Sequence, residues 1–324
     1  KDLLDILAKE SRVMSIIKKE LRDIKARYGS DRLTKIVPDE GEISIEDLIA
    51  NEGTMITITH NGFIKRTAVS SYRAQRRGGR GKKGMQTREG VTEEDNDFVE
   101  HLFTANTHDY LMFFTQNGRC YIERVFEIPE MGRTSKGRSI ANLLQLQPEE
   151  KIAATLRIQG RKTPEETFAE TLFVVFANKS GIVKKSSLSE FKNLRKNGLI
   201  AIRVEEGDRL IDVKLTNGDD DMVLITRYGM SIRFNESDMM VRGRATIGVK
   251  GIELCTDDEV VAAAVVDRSS TLLVVSENAV GKRTPFDDYR VQTRGGKGII
   301  TMKLGEKNSA IAGALTVKDS DELM

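Results

Sequence analysis

The sequence predicts an all-β fold, a propeller-like ring of repeated blades, from three observations. Five segments from Thr54 onward each carry an apolar strand, a polar turn and a second strand. Each of these hairpins is followed, just under 20 residues later, by another glycine. The basic stretch YRAQRRGGRG at 72–81 returns as YRVQTRGGKG at 289–298, at the same place in its repeat. Self-similarity at a fixed period is the signature of a repeat architecture.

The first element is helical. Leu3, Leu7, Met14, Ile17, Leu21, Ile24 and Tyr28 recur at spacings of three and four, with Glu10 the polar break. That is the seam of a coiled coil, and Gly29 stands where such a helix stops. The seam calls for a partner helix. An acidic linker follows, Val37-Pro38-Asp39-Glu40-Gly41-Glu42. The expected division is a helix over 1–37, a linker and first strand over 38–53, and the repeats over 54–324. The strand expected at Ile43–Ile49 resembles the last strand of a blade.

The hairpins are TMITITHNGFIKRT from Thr54, YLMFFTQNGRCYIE from Tyr110, LFVVFANKSGIVKKS from Leu172, DMVLITRYGMSIRF from Asp221 and TLLVVSENAVGKRT from Thr271. Asn61-Gly62 and Asn117-Gly118 are favoured two-residue turns, because both central residues need positive φ. Ser180-Gly181 and Tyr228-Gly229 occupy the same place. Asn278-Ala279 fits that turn poorly, so the fifth turn is expected to shift, with Gly281 absorbing the strain. The second glycines are Gly81, Gly137, Gly198, Gly248 and Gly298. Two further strands close each repeat, as in GIEL at 251–254 and VVAAAVV at 260–266, separated by Asp257-Asp258-Glu259. Four strands in about 50 residues describe a propeller blade. A sixth unit is expected to begin at Asp321–Met324.

Composition narrows the function. Lys+Arg is 51 and Asp+Glu 49 in 324 residues, a net charge of +2. A uniformly basic protein is excluded, but basic charge gathered on one surface is not. Cys120 and Cys255 lack metal-ligand spacing, which points to a reduced, cytosolic setting. No apolar run approaches about 18 residues, the length that spans a membrane. The chain does not begin with Met or a signal peptide, so a longer parent is expected. His60, His101 and His108 lack metal-ligand companions, and no nucleophile motif or Walker loop appears, which argues against a self-contained enzyme. Glu93-Glu94-Asp95 and Asp219-Asp220-Asp221 fall in turns, where their charge steers a polyanion away.

The basic stretch carries the chemistry. Ser71 to Gly84 holds Arg73, Arg76, Arg77, Arg80, Lys82 and Lys83 without an acidic residue. The equivalent loops hold Arg133, Lys136 and Arg138, then Lys192, Arg195 and Lys196, then Arg242, Arg244 and Lys250, and finally Arg290, Arg294 and Lys297. Glycine lets backbone N–H groups approach phosphate, and Arg and Lys neutralise its neighbours. Repeated in every blade, such loops form a belt around the rim. They lack the side-chain pattern of base reading, so sequence-independent binding of double-stranded DNA is expected. A protein scaffold would show apolar anchors on these loops instead.

QRRGGRG, formed by Gln75, Arg76, Arg77, Gly78, Gly79, Arg80 and Gly81, resembles the signature box of the DNA gyrase A C-terminal domain. The resemblance extends over the whole chain, including SLSEFKNLRKNG, TPFDDYRVQTRGGKG and the helix ending in RYGSDRLTKI. It implies a β-pinwheel, a hairpin-exchanged relative of the propeller, of six blades in the family. It implies DNA wrapped with positive handedness around the rim, so that a holoenzyme introduces negative supercoils at the expense of ATP. The ATP and Mg²⁺ and the strand-cleaving tyrosine then belong to other parts of the holoenzyme, and no cofactor is expected in this fragment. The implied partners are gyrase B in an A2B2 heterotetramer and a second copy of gyrase A. The implied location is cytoplasmic, on the chromosome. The first helix would end the coiled coil of the breakage-reunion domain. The alternative is the equivalent DNA-bending domain of topoisomerase IV, which lacks an intact box.

Overall fold

The computed structural model describes residues 2–32, 34, 45–72, 84–85, 87, 97–148, 150–161, 163–193, 197–305 and 309–321. It divides into two units, Lys1–Ile45 and Glu46–Met324.

The first unit holds two helices, α1 (Asp2–Ala8) and α2 (Glu10–Tyr28), where one was expected. The break falls at Lys9, whose backbone is extended at φ −124° and ψ 102°. Arg12 reaches back across it to Asp2 at 3.0 Å and to Asp5, and Lys9 reaches Asp5 at 2.7 Å. These pairs hold the two helices together but, being exposed, contribute little each. Gly29 closes α2 as predicted, donating its N–H to Lys25 O at 2.8 Å. Every seam residue is exposed, Leu7 by 79% and Tyr28 by 80%.

The second unit is all-β. The first repeat supplies β1 (Gly53–Thr59), β2 (Phe63–Ala68) and β3 (Val99–Asn106). The second supplies β4 (Tyr110–Thr115), β5 (Arg119–Arg124), β6 (Arg138–Ser139) and β7 (Ile152–Ile158). The third supplies β8 (Phe173–Asn178), β9 (Ile182–Ser187), β10 (Leu199–Ile200) and β11 (Leu210–Thr216). The fourth supplies β12 (Asp221–Thr226), β13 (Met230–Asn235), β14 (Val249–Lys250) and β15 (Val260–Val265). The fifth supplies β16 (Thr271–Ser276), β17 (Gly281–Pro285), β18 (Ile299–Ile300) and β19 (Ile311–Val317).

Sheets and repeats do not coincide. The orders are β3-β1-β2-β6, β10-β5-β4-β7, β11-β8-β9-β14, β15-β12-β13-β18 and β17-β16-β19. The outermost strand of each of the first four sheets is therefore borrowed from the next repeat. The fifth sheet has three strands among the described residues, because its fourth place is the one that a following repeat fills in the other sheets. Exchange interlocks neighbours, and it is the hairpin-exchanged arrangement that makes a pinwheel of a propeller.

The first hairpin strands of the second, third and fourth repeats, β4, β8 and β12, carry continuous apolar runs because both of their faces are buried. Leu111 and Phe113 pack with Ile56, Ile58 and Ile64 of the first sheet, whereas Met112 and Phe114 pack with Val174 and Phe176 of the third. Val175 and Ala177 likewise meet Leu224, while Val223 and Ile225 meet Leu272 and Val274. Each such fully buried side chain contributes roughly 1.5–3 kcal/mol. In β16 only alternate residues are buried, since the described residues cover one face.

Three expectations are corrected. Residues 45–48 form a 3-10 turn rather than part of a strand at 43–49, and Ile43 and Ser44 lie outside the described residues. The segment is pinned by side chains instead of a ladder: Glu46 pairs with Arg124, and Thr107 Oγ1 donates to Ala50 O at 2.6 Å. GIEL at 251–254 is loop, and the preceding Val249 and Lys250 make the short strand. The fifth turn does not shift. Ala279 itself adopts φ +58°, one of two described non-glycine residues at positive φ, and Gly281 simply opens β17.

Candidate nucleic-acid interface

The candidate rim is built from the loops that run into each second glycine. Gly137, Gly198, Gly248 and Gly298 answer to packing, not to phosphate. A Cβ on Gly248 would lie 2.2 Å from Val183 O, and one on Gly298 2.1 Å from Ser231 O. One on Gly198 would strike the Tyr121 ring, and one on Gly137 Ile64 O. Each of these second glycines thus lets the borrowed strand lie against the preceding hairpin. Gly132 and Gly243 differ, with nothing within 4 Å of an added Cβ among the described residues. These open glycines leave backbone accessible to an approaching phosphate.

The predicted cations divide by position. Lys136 and Lys297, one residue before the second glycine, are exposed, as are Arg138, Arg242, Lys250 and Arg290. Lys136 also stands over the Phe63 ring at 4.0 Å, tying its loop to the preceding sheet. Arg133, Arg244 and Arg294, four residues before the glycine, are half-buried. Arg294 donates Nε to Asp238 O and Nη1 to Lys250 O, both at 3.0 Å. Arg244 takes Glu190 as its partner, its backbone N–H donating to that carboxylate at 3.0 Å. Arg244 and Arg294 thus fasten their repeat to the previous one, and the outer set faces solvent. Gln75 to Gly81, with Arg73, Lys82 and Lys83, and Arg195 and Lys196 lie outside the described residues. QTRGGKG at 292–298, their counterpart by sequence, is described.

Sequence reasoning missed several residues. Arg203 is exposed, and its N–H donates to Thr246 O of the fourth loop at 3.2 Å. Lys65 and Lys184 are buried beneath the loops. Burial lowers the Lys65 ammonium, with Arg133 adding to the effect, and brings Lys184 down to about 8. Arg233 is buried against Asp221 at 2.7 Å, and Glu236 against Lys185 at 2.9 Å. A charged residue inside an apolar strand was the available signal for these.

The histidines are structural in their contacts. His60 stacks on Phe98 and touches Glu100 and Lys151, each at 3.2 Å. His108 Nε2 meets Ile49 O at 2.7 Å. His101 is driven toward its neutral form by burial. Both cysteines are free thiols. Among the described residues, no group of three or more His, Cys, Asp or Glu is placed to hold a metal ion, and no helix is long and apolar enough to cross a membrane.

A family model described as "DNA gyrase C-terminal domain, beta-propeller" matches residues 54–106, 109–162, 173–217, 220–267 and 270–318. The chain belongs to the DNA gyrase C-terminal domain family. Its five matched segments coincide with the five repeats. The DNA gyrase A protein of Clostridium acetobutylicum is 46% identical over 323 residues, all of this chain and 37% of that protein. The DNA gyrase A protein of Mycolicibacterium smegmatis is 43% identical over 324 residues, 99% of this chain and 37% of its own length. The chain thus spans little more than a third of these gyrase relatives. A solved DNA gyrase A C-terminal domain superposes with a TM-score of 0.66 at 24% identity, covering 83% of this chain and 84% of that one. The C-terminal domain of a DNA topoisomerase IV superposes with 0.62 at 25% identity, covering 84% and 80%.

Proposed function

We propose that the β unit wraps double-stranded DNA along its rim, without reading sequence, and imposes positive writhe on it. The observation that carries this is the outer set of exposed cations, gathered around the second glycine in the second, fourth and fifth of the interlocked repeats, with Lys136 and Lys297 at the same register. Phosphate contacts position DNA without specifying bases. A path that follows several such loops must curve, and smooth bending of 20–30 base pairs by 40–90° costs roughly 1–6 kcal/mol. Multidentate contacts along the belt offset that cost, and the box Gln75–Gly81, with the densest charge, fixes where the path begins.

In the same reading the chain is part of gyrase A within an A2B2 gyrase, working with gyrase B and a second copy of gyrase A on the chromosome in the cytoplasm. ATP and Mg²⁺ serve parts of the holoenzyme beyond this chain. The residues 1–37 end the coiled coil that leads into the breakage-reunion domain. This chain's share of the mechanism is geometric: the crossing it presents for strand passage has one handedness, so each cycle removes links rather than adds them.

Nick closure by ligase on a circular plasmid, with increasing amounts of the chain, tests the proposal on two-dimensional gels. A positive linking difference that disappears when Gln75–Gly81 is replaced by alanine is the expected result. Binding without a linking difference would support the bending function of the topoisomerase IV type, and no binding at low salt would end both readings.

A further inference from the structure

Lys65 and Lys184 are 0% and 1% exposed, and neither has a carboxylate partner among the described ion pairs. A buried ammonium is costly unless its three donors are used. Both are used on backbone carbonyls. Lys65 Nζ has four carbonyls around its three N–H groups, one of which is shared: Gly84 O and Ser135 O at 3.0 Å, Gly132 O at 3.2 Å, and Arg133 O. Lys184 Nζ donates to Ala201 O at 2.6 Å, to Gly243 O at 3.2 Å, and to Arg244 O.

The two sites are the same site. Each lysine lies three residues after its hairpin glycine. One carbonyl comes three residues after the second glycine of its own repeat. The others include the Gly-Arg pair five and four residues before the second glycine of the next repeat. Lys282 holds the equivalent place in the fifth repeat and reaches the equivalent carbonyl, Thr301 O, at 3.4 Å. In the second and fourth repeats the place is taken by Tyr121 and Ile232. The device therefore alternates, on odd-numbered repeats.

Its ligands are the open glycines and the arginines of the rim. Gly132-Arg133 and Gly243-Arg244 turn their carbonyls onto one nitrogen, which fixes the loop conformation from beneath. No described carboxylate forms an ion pair with either ammonium, although Glu190 acts on Lys184 through its charge, so each protonated ammonium adds to the positive potential under its loop.

We infer that Lys65 and Lys184 are positioning residues for DNA: each buried ammonium gathers carbonyls from two successive repeats and holds the next repeat's Gly-Arg loop with its cations facing outward. The inference rests on the wrapping function above and adds the residues that set its loops.

The test compares the 324-residue chain with Lys65→Met and Lys184→Met, which keep length but remove donors and charge. Amide exchange is read over 132–136 and 243–247, and duplex affinity by anisotropy across a salt series. Each variant should speed exchange in its own loop only and bind DNA about tenfold more weakly, a difference of about 1.4 kcal/mol. Unchanged exchange, or faster exchange with unchanged affinity, overturns the inference while leaving DNA binding intact. Absence of binding by the unaltered chain at low salt overturns the DNA reading itself, and the exchange data then speak only to loop order. Should a Met variant fail to melt cooperatively, the side-chain ¹⁵N signals of Lys65 and Lys184 in the unaltered chain decide. They should shift when DNA is added, and signals that stay in place overturn the inference.

Discussion

Ala279 shows how one residue can carry a cost that its repeats avoid. Four turns place glycine at positive φ, between +75° and +88°, while Ala279 sits at +58°. An L-residue in that region costs roughly 1–2 kcal/mol. Ala279→Gly should therefore raise stability by about 1 kcal/mol, read as a higher denaturant midpoint at unchanged slope. Lys184 gives a second prediction. Burial lowers its ammonium from 10.5 to about 8, with Glu190 opposing and Arg244 adding. Between those values the unfolded chain holds a proton that the fold has released. Stability should then rise as pH climbs from about 8 toward 10.5, and be flat below 8. Thermal melts across that range should show the rise in the parent chain and not in Lys184→Met.

At the scale of the element, the loop before each second glycine does two jobs with different residues. Gly298→Ala puts a Cβ against Ser231 O at a backbone φ of +76°. Left-handed strain and overpacking together should cost about 2–4 kcal/mol and lower the unfolding midpoint. Gly243→Ala meets open space and should leave that midpoint within about 0.5 kcal/mol, the usual range for a surface change. Duplex affinity should fall in Gly243→Ala nonetheless, if phosphate approaches that backbone. The inner and outer cations separate in the same way. Arg294→Ala should loosen the tie to Asp238 O and Lys250 O and register in melting. Lys297→Ala should leave melting unchanged and reduce the salt slope by about 0.9.

For the molecule as a whole, exchange makes the sheets interdependent. Removing a repeat strips its own strands and also the outer strand of its predecessor, so neighbour terms weigh heavily against intrinsic ones. A chain ending at Asp267 loses β18 as well as β16, β17 and β19, and leaves the β13 edge unpaired. Its loss of stability, measured by calorimetry, should exceed that expected from the fifth sheet alone. The exposed cations Lys136, Arg138, Arg242, Lys250, Arg290 and Lys297 also act together. If each neutralises one phosphate, log affinity should fall with log salt at a slope of about −5.

The sequence by itself determined the repeats, the strand pairs within them and the basic loops. Those follow from local rules: apolar runs bounded by Asn-Gly turns, and clustered Arg, Lys and Gly. That the apolar runs LMFF and FVVF are buried on both faces came from the structure, because adjacent blades supply the cover. The tertiary structure alone decided which sheet each short strand joins, because β6, β10, β14 and β18 are two residues long and carry no periodicity. It decided that Gly137, Gly198, Gly248 and Gly298 serve packing, since the atoms they admit belong to the preceding repeat. It also separated Lys136, Arg138, Arg242, Lys250, Arg290 and Lys297 from Arg133, Arg244 and Arg294. Charge in a sequence is the same whether it faces solvent or a neighbour's carbonyl, and only the packed neighbour distinguishes them.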